Sequence, residues 1–406
     1  MKNNISKFKD CYGCGVCVKA CPVKIISLRE NEEGFYQPYI NDESKCIECG
    51  LCLKTCAFNH DEVVKSEFEP TAYAAWSNNE FVRARCSSGG IGFEIGKRLI
   101  ENGFKAIGVK YSPEVNRAEH FVAETIEEFM PSVGSKYIPS NTQNVLKEIN
   151  PKEKYFITGT PCQVDSFRRY IKNIKKEDNF VLLDFFCHGV PSLLLWDKYV
   201  EDIKKSIGNI TFVSWRNKST GWQDSWAMQA DNDEECLKRN VSYDLSREER
   251  KHSYSSRRSE GDLFYKFFLD NYCLNKCCYS TCKYKMYSSA ADIRIGDLWG
   301  QSFADNDEGV SAVLALTSKG KEILEQHGAS WTLKPLDFKV VIQGQMHENA
   351  KKPIIRDRII AQLKSDATLH QIEQDVIRPY RRRFLLGRIA NRVLKLCNLR
   401  PYFRTR

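Results

Sequence analysis

Two copies of one cysteine pattern constrain the fold of this chain more than any other feature. In the first copy the cysteines are two, two and three residues apart and a proline follows them: Cys11, Cys14, Cys17, Cys21 and Pro22. The second copy repeats these spacings 35 residues further on: Cys46, Cys49, Cys52 and Cys56. Ala57 stands where the first copy has its proline. The repeat predicts one small N-terminal α+β domain, which we place at residues 1–62.

The spacing is that of two-cluster bacterial ferredoxins, in which each copy binds three corners of one 4Fe–4S cluster and lends its fourth cysteine to the other. Glycine between the cysteines lets the backbone bend and direct N–H groups at the sulfides. We therefore predict one cluster on Cys11, Cys14, Cys17 and Cys56. We predict the second on Cys21, Cys46, Cys49 and Cys52. Zinc sites normally use two separate cysteine pairs, so zinc fits this double run less well.

The cysteine content also bears on the compartment. The chain has 17 cysteines among 406 residues, and its N-terminus lacks the apolar segment and cleavage site of an export signal. No apolar run approaches the ~18 residues of a membrane span. We expect a cytoplasmic protein, in which thiols stay reduced and so many cysteines favour metal or redox chemistry over disulfides.

Behind a polar link, the pattern changes to that of a larger α/β domain. "TAYAAWS" and "FKAIGVKY" are typical of strands, and between them lie the glycine-rich turn Ser87–Gly90 and a helix ending at Gly103. Such a helix start can bind an anion, although a plain turn is the more common explanation of this pattern. Two later strands each lead into a loop with a cysteine, Cys162 and Cys187, where α/β proteins bind ligands. We predict this domain at 70–320, with an exposed insertion at Asp231–Glu260, and a helical C-terminal region at 321–406.

The motifs of the larger domain, in their joint order, resemble the beta subunit of coenzyme F-420 hydrogenases and dehydrogenases; the coenzyme is a deazaflavin. The resemblance extends from about Thr71 to Gly320. Six segments carry it: "SSGG" at 87–90, "GSKY" at 134–137, "GTPCQV" at 159–164, "CHGVPS" at 187–192, "RNKSTGW" at 216–222 and "ADIRIGDLWG" at 291–300. The family implies an FAD-binding α/β domain with its own 4Fe–4S cluster. Similar domains also resemble proteins encoded in bacterial polysaccharide-synthesis loci.

The resemblance implies which cysteines hold this third cluster. The family uses the cysteine of the P-C-Q loop, the cysteine after the next strand and a later pair two residues apart. Here the later pair is Cys282 with either Cys278 or Cys277, at wider spacing, and Tyr279 matches the residue that the family has after the first member. The implied ligands are therefore Cys162, Cys187, Cys278 and Cys282, with Cys277 as the alternative to Cys278. The remaining cysteines are then expected to be small hydrophobes: Cys86, Cys236, Cys273, Cys277 and Cys397.

The implied flavin contacts lie in three of the quoted loops: Ser88, Gly89, Gly90, Lys136, Tyr137, Thr160 and Pro161. Backbone N–H groups there can hold a phosphate or the carbonyl edge of the ring, and a lysine can stabilise an anionic reduced flavin. The implied function is a flavin- and iron–sulfur-dependent oxidoreductase. It would relay electrons between its clusters, a redox partner protein and an organic hydride carrier or substrate, either coenzyme F-420 or a glycan precursor. Hydride exchange requires no acid–base side chain, so no catalytic residue is named. The alternative is an electron-transfer subunit that serves a partner enzyme and has no substrate of its own.

The C-terminal segment carries the excess charge of the chain. The net charge is +9, and residues 378–406 contain ten Arg and Lys and no Asp or Glu. On a helix, one face would carry Leu385, Ile389, Val393 and Leu396, and another Arg388, Arg392 and Lys395. This helix can lie on an anionic membrane surface or pack on the body with its basic face in solvent. We expect no nucleic-acid binding, because the segment has neither interleaved aromatics nor a known module.

Overall fold

The structure is a computed structural model that describes residues 3–232, 253–326, 328–384 and 386. Its strands, in chain order, are β1 Ile26–Glu30, β2 Tyr36–Ile40, β3 Thr71–Ser77, β4 Lys105–Ser112, β5 Arg117–Ala123, β6 Ser140–Asn141, β7 Tyr155–Thr158, β8 Phe180–Phe185, β9 Phe212–Ser214, β10 Ala227–Asp231, β11 Tyr254–Arg257, β12 Ile293–Asp297, β13 Ser311–Ala315 and β14 Trp331–Pro335.

The α-helices of the same residues are α1 Val16–Ala20, α2 Leu51–Lys54, α3 Glu80–Arg85, α4 Ile91–Glu101, α5 Ile126–Phe129, α6 Gln143–Glu148, α7 Pro161–Asn173, α8 Leu193–Ile207, α9 Leu263–Leu269, α10 Lys276–Ser280, α11 Ser318–Glu325, α12 Phe338–Ile342, α13 Arg356–Leu363 and α14 Leu369–Ile372. The last of these continues as a π-helical turn over Glu373–Ile377.

The N-terminal repeat folds into a hairpin with two short helices. Strands β1 and β2 pair in antiparallel fashion, with Ile26 opposite Ile40. Helices α1 and α2 occupy matching places in the two copies, and each begins after a glycine in the left-handed region, Gly15 at φ 75° and Gly50 at φ 69°. A residue with a Cβ rarely adopts this conformation, so the two glycines allow the chain to turn from the cysteine loop into each helix.

The larger part is built on a nine-stranded sheet in the order β14-β3-β13-β12-β8-β7-β4-β5-β6. Its centre, from β12 through β8 and β7 to β4, is parallel. Within β8, Leu182 packs in one hydrophobic cluster and Val181 and Leu183 in another. Both faces of the sheet are therefore covered, which is why this strand is an almost continuous apolar run. The expected mixed α/β class is confirmed.

Three details differ from the expected organisation. Strands β3 and β4 flank the predicted helix, but four strands separate them in the sheet. Residues 321–406 are not wholly helical, because β14 pairs with β3 as an edge strand. The ends of the expected insertion are ordered strands: β10 and β11 pair with each other, and Asp231 is buried. Residues 233–252, with Cys236, lie outside the described part.

The N-terminal repeat is anchored to the sheet domain by polar contacts. Lys19 Nζ donates to the carbonyl of Ile149 over 2.6 Å, and Thr142 Oγ1 donates to the carbonyl of Cys14 over 3.0 Å. Glu33 accepts from Lys276 over 2.6 Å and from Arg356 over 2.8 Å. These contacts place the cysteine loops directly against the loops of the sheet domain.

The start of the basic C-terminal segment pairs with the body. Arg378 forms an ion pair with Glu373 over 2.6 Å, and Arg381 contacts Asp270 and donates to Tyr272 over 3.1 Å. The predicted apolar face, for which membrane contact and packing on the body are the two alternatives, lies on Leu385 and residues 387–406, outside the described part. Within the described residues, no helix combines the length and apolarity needed to cross a membrane.

Candidate functional site

A cavity of about 470 Å³ lies at the carboxyl ends of the parallel strands. The residues that follow β7, β8 and β12 all contribute to its wall, among them Thr160, Phe186, Cys187 and Trp299. Carboxyl ends of parallel strands are the usual ligand-binding edge of an α/β sheet. The volume is within the range of small-molecule and cofactor sites, ~300–1,000 Å³.

Most of the flavin contacts implied by the resemblance line this cavity. Those in the wall are Ser88, Gly90, Lys136, Tyr137 and Thr160. Gly89 and Pro161 are not among the lining residues. The Gly89 N–H donates to Ser311 Oγ over 3.1 Å, and a Cβ there would lie 2.4 Å from the Ala75 carbonyl oxygen. Gly89 therefore sets how closely the loop approaches the sheet.

The loop at Ser87–Gly90 leads into the N-terminus of α4. Gly90 has φ 85° and, having no side chain, does not cap the helix. The first N–H groups of a helix have no partner within it, and together with the helix dipole they attract anions. This end of α4 faces the cavity through Gly90, Ile91 and Gly92, so an anionic part of a ligand can bind there.

The Lys136 side chain is used differently from the expectation. Its ammonium donates to three carbonyl oxygens of its own loop, those of Pro131, Val133 and Gly134, over 2.8 to 3.1 Å. Burial lowers the pKa of Lys136 to about 7. In this structure the ammonium of Lys136 is therefore held by its own loop, and the side chain shapes that loop at the cavity wall.

Thr160 and Pro161 start helix α7. Thr160 is its N-cap residue, the Thr160 N–H donates to Gln163 Oε1 over 2.8 Å, and Pro161 occupies the first turn. This is a capping box with proline in a position that needs no N–H. The motif "GTPCQV" therefore fixes where Cys162 stands at the start of the helix.

A buried arginine organises the polar end of the cavity. Arg216 is 3% exposed, and it donates to Tyr137 Oη over 3.2 Å and to Asp297 over 3.0 Å. Its guanidinium lies 4.6 Å from the Trp226 ring and 5.6 Å from the Trp299 ring. Asp297 and the two tryptophans were not predicted as site residues. Asp297 and Trp299 belong to the motif "ADIRIGDLWG", whereas Trp226 lies four residues after "RNKSTGW" and had no sequence signal.

The N-terminal repeat supplies one side of the cavity, which the sequence did not predict. Tyr12, Gly13, Phe35 and Tyr36 are among its lining residues. Tyr12 and Gly13 also line a smaller cavity enclosed by cysteines of the repeat. Tyr12 and Gly13 thus lie between the large cavity and the cysteine loop.

The eight cysteines of the repeat line two separate cavities, four in each. The smaller cavity just mentioned, site 1, is lined by Cys11, Cys14, Cys17 and Cys56. A second, site 2, is lined by Cys21, Cys46, Cys49 and Cys52. Burial raises the pKa of Cys56 to about 11, and repulsion from Cys14 adds to it. Such thiols need the positive charge of a metal to become thiolates, so the donor set fits an iron–sulfur cluster.

The four cysteines implied for a third cluster lie close enough together to raise one another's pKa values; we call them site 3. Burial raises the pKa of Cys162, with further repulsion from Cys187 and Cys278. Burial also raises the pKa of Cys278, and repulsion from Cys187 and Cys282 adds to it. The neighbouring Lys285 donates to the carbonyls of Cys187 and His188 over 2.7 and 3.1 Å. Site 3 therefore adjoins the large cavity, whose wall includes Cys187 and Lys285.

Cys277 interacts with residues of the N-terminal repeat, among them Cys11, and not with Cys187. Burial raises its pKa to about 11, and its charged neighbours are Asp10 and Cys282, while Cys278 faces Cys187. Cys86 and Cys273 are buried in hydrophobic clusters, as expected; Cys397 lies outside the described residues. Across residues 3–232, 253–326 and 328–384, no group of three or more His, Cys, Asp or Glu side chains is arranged to hold a metal ion. That finding concerns a single metal ion, whereas the four thiolates that hold a 4Fe–4S cluster are spread around a cubane.

Sequence profiles of known families match three parts of the chain. Residues 72–147 match the N-terminal part, and residues 152–337 the C terminus, of the coenzyme F420 hydrogenase/dehydrogenase beta subunit. Residues 10–60 match a 4Fe-4S dicluster domain. The two beta-subunit profiles together span more than half of the chain.

One curated relative is the coenzyme F420 hydrogenase subunit beta of Methanococcus voltae, which is 38% identical over 72 residues. This match covers 16% of this chain and 26% of the relative, so the chain spans about a quarter of that protein's length. A solved structure, described as a xenon derivatization of the F420-reducing [NiFe] hydrogenase complex from Methanosarcina barkeri, aligns at 18% identity and a TM-score of 0.43. The alignment covers 75% of this chain and 91% of the chain in that structure. From the profile matches, the chain belongs to the coenzyme F420 hydrogenase/dehydrogenase beta-subunit family and carries a 4Fe–4S dicluster domain in front of it.

Proposed function

We propose that the chain is a flavin- and iron–sulfur-dependent oxidoreductase that exchanges electrons between an organic hydride carrier and a redox partner protein. FAD is the cofactor of the large cavity, and 4Fe–4S clusters occupy sites 1, 2 and 3. A flavin supplies exchange of a hydride or of two electrons, and iron–sulfur clusters supply transfer of single electrons. The observation that carries this proposal is that one cavity is lined by Cys187 of site 3 and by Tyr12 and Gly13, which also line site 1.

The chain's own groups have distinct tasks in the cavity. The N–H groups at the start of α4 bind an anionic part of the cofactor, a phosphate or the carbonyl edge of the ring. The rings of Trp226, Trp299 and Phe268 provide apolar faces against a planar ring and exclude water. Tyr137 and Asp297, held by Arg216, present fixed hydrogen-bonding groups at the polar end.

The arrangement of the cysteine sites supports a relay from the cavity to the surface. Site 3 adjoins the cavity through Cys187. The pKa of Cys162 is raised by burial, by repulsion from Cys187 and, to a smaller extent, by repulsion from Cys14. Because Cys14 belongs to site 1, sites 3 and 1 are neighbours. Within the described residues, Cys49 of site 2 is the exposed member among the cysteines of the three sites. A redox partner protein therefore exchanges electrons at site 2.

The organic partner is the deazaflavin coenzyme F-420 or, in the alternative, a glycan precursor. The name of the relative from Methanococcus voltae, a subunit of a coenzyme F420 hydrogenase, favours the deazaflavin. The same word "subunit" favours the second candidate function, an electron-transfer subunit that serves a partner enzyme without a substrate of its own. Turnover by the isolated chain with a viologen dye and one of these substrates would reject the second candidate.

Anaerobic purification followed by cofactor analysis tests the proposal. We expect one flavin and about twelve iron atoms per chain, four for each cluster. A reductive titration should then show reduction of the flavin by the reduced deazaflavin coenzyme and of the clusters by a reduced ferredoxin. A preparation without flavin, or with iron far below twelve atoms, would overturn the proposal.

A further inference from the structure

Ser166 of the sheet domain reaches into site 1 of the N-terminal repeat. It lies one turn after Cys162 on helix α7, is fully buried, and its Oγ is 3.2 Å from Cys14 Sγ. The same oxygen accepts a hydrogen bond from the backbone N–H of Ala57 over 3.0 Å. A serine inside a helix commonly bonds to a carbonyl of the preceding turn, whereas the partners of this hydroxyl lie in the other domain.

The direction of the hydrogen bond between Ser166 and Cys14 depends on which of the two side chains carries a proton. With Cys14 as a thiol, its S–H donates to Ser166 Oγ. A cysteine that ligates a cluster is a thiolate and has no proton, so the hydroxyl must then donate to the sulfur. The Ala57 N–H is a donor only and occupies a lone pair of Oγ. The one hydroxyl proton is therefore free to point at Cys14.

Ala57 is the position where this repeat departs from the proline of its first copy. A proline has no N–H to donate, and its ring Cδ would stand where the N–H now points at Ser166. The backbone would accept proline, because Ala57 begins a 3-10 helix and Cys56 before it is extended at φ −77° and ψ 110°. The hydrogen bond to Ser166, and not the backbone conformation, thus accounts for alanine at this position.

We propose that Ser166, oriented by the Ala57 N–H, raises the reduction potential of the cluster at site 1. This rests on the cluster ligation of the proposed function. A reduced cluster carries one more negative charge than an oxidised one, so a hydrogen bond to its sulfur stabilises the reduced form more. Ser166 is a positioning residue of the sheet domain, and it makes the potential of site 1 depend on docking of the two domains.

Site 2 provides an internal reference in the same molecule. The cysteine that corresponds to Cys14 there is Cys49, which is exposed, and proline follows Cys21 in the first copy. A side-chain donor at site 2 is Asn4, whose Nδ2 is 3.5 Å from Cys46 Sγ, and Asn4 belongs to the repeat itself. Removing the Ser166 hydroxyl should therefore change site 1 and leave site 2 unchanged.

The test is a redox titration of the anaerobically purified full-length chain, followed by EPR spectroscopy and with iron measured for each variant. In Ser166→Ala we expect unchanged iron, an unchanged potential at site 2 and a lower potential at site 1. Removing one hydrogen bond should shift the equilibrium of that cluster roughly tenfold, ~59 mV for a one-electron couple. Ala57→Pro should lower the potential of site 1 in the same way, because the ring displaces the hydroxyl. In the double variant, Ala57→Pro should add no further shift.

The outcomes separate this inference from the proposed function. Wild-type protein without iron at site 1 would overturn the proposed function. If the wild type contains iron at site 1 and Ser166→Ala changes the reduction equilibrium of that cluster less than twofold, the role of Ser166 is overturned while the proposed function stands. Loss of iron from Ser166→Ala would also overturn that role, because the serine would then hold the cluster instead of tuning it. Additive shifts in the double variant would show that Ala57 does not act through Ser166.

Discussion

A buried ion pair between β8 and β12 should be one of the most costly contacts to break in this protein. Arg294 Nε donates to Asp184 Oδ1 and Arg294 Nη2 to Asp184 Oδ2, both over 2.7 Å. Both side chains are fully buried. Ser289 Oγ donates to the same carboxylate over 2.6 Å, and Arg294 Nη1 donates to the carbonyls of Tyr284 and Met286 over 3.0 and 2.7 Å.

Replacing one partner leaves the other buried without its counter-charge. Arg294→Met retains the length of the side chain but leaves the Asp184 carboxylate with a hydroxyl as its remaining side-chain partner. Breaking a buried pair in this way costs about 3–5 kcal/mol of unfolding free energy. The double variant Arg294→Met with Asp184→Leu leaves no buried charge, so it should be more stable than Arg294→Met alone.

Equilibrium urea unfolding followed by tryptophan fluorescence measures this effect. Lys364→Met is the matched control, since Lys364 pairs over 3.3 Å with Glu32, whose side chain is 93% exposed, and exposed pairs contribute ~0–1 kcal/mol. Because Arg294 also holds the segment between Cys282 and β12, Arg294→Met should retain less iron at site 3 than the control. The reasoning is refuted if Arg294→Met lies within about 1 kcal/mol of the control, or if the double variant is as unstable as the sum of the single ones.

Three further predictions concern single residues. Cys282→Ala should lose about a third of the iron, whereas Cys277→Ala should keep it all; equal iron in the two variants would contradict the assignment of site 3. Gly89→Ala should abolish flavin retention, because its Cβ would collide with a strand carbonyl at 2.4 Å. Gly103→Ala, which meets nothing within 4 Å, should cost about 1 kcal/mol of stability and retain flavin, as absorbance spectra would show. Burial lowers the pKa of His120 to about 4, so between pH 7 and pH 5 the unfolded chain binds a proton there that the folded chain does not. Over that range wild type should lose about 2 kcal/mol more stability than His120→Leu, and equal losses in urea titrations would contradict this.

The N-terminal cysteines could be assigned to two sets from their spacing alone, because that spacing leaves few ways to surround two cubanes. The strands around Leu182 and Val313 could be predicted from their apolar runs, since a strand covered on both faces has no polar alternation. Family resemblance brought together four distant cysteines of site 3, and the structure places Cys278, not Cys277, beside Cys187.

Other features depend on the direction of side chains and could not be predicted from the sequence. Lys136 has the residue type of a flavin contact, yet its ammonium is used by carbonyls of its own loop. Gly89 and Pro161 belong to the right loops but lie behind the cavity wall. Strand β14 was missed because its partner β3 lies some 250 residues earlier, and short strands gain their stability from such partners.

Local spacing therefore determined the cysteine sets and the α/β pattern, because ligand geometry and burial periodicity act between residues close in the chain. The relation between the sites came from packing. Tyr12 and Phe35 line a cavity of another domain, and Ser166 meets Cys14 across 152 residues. Such contacts depend on how two folded surfaces fit together, for which no short segment carries a signal.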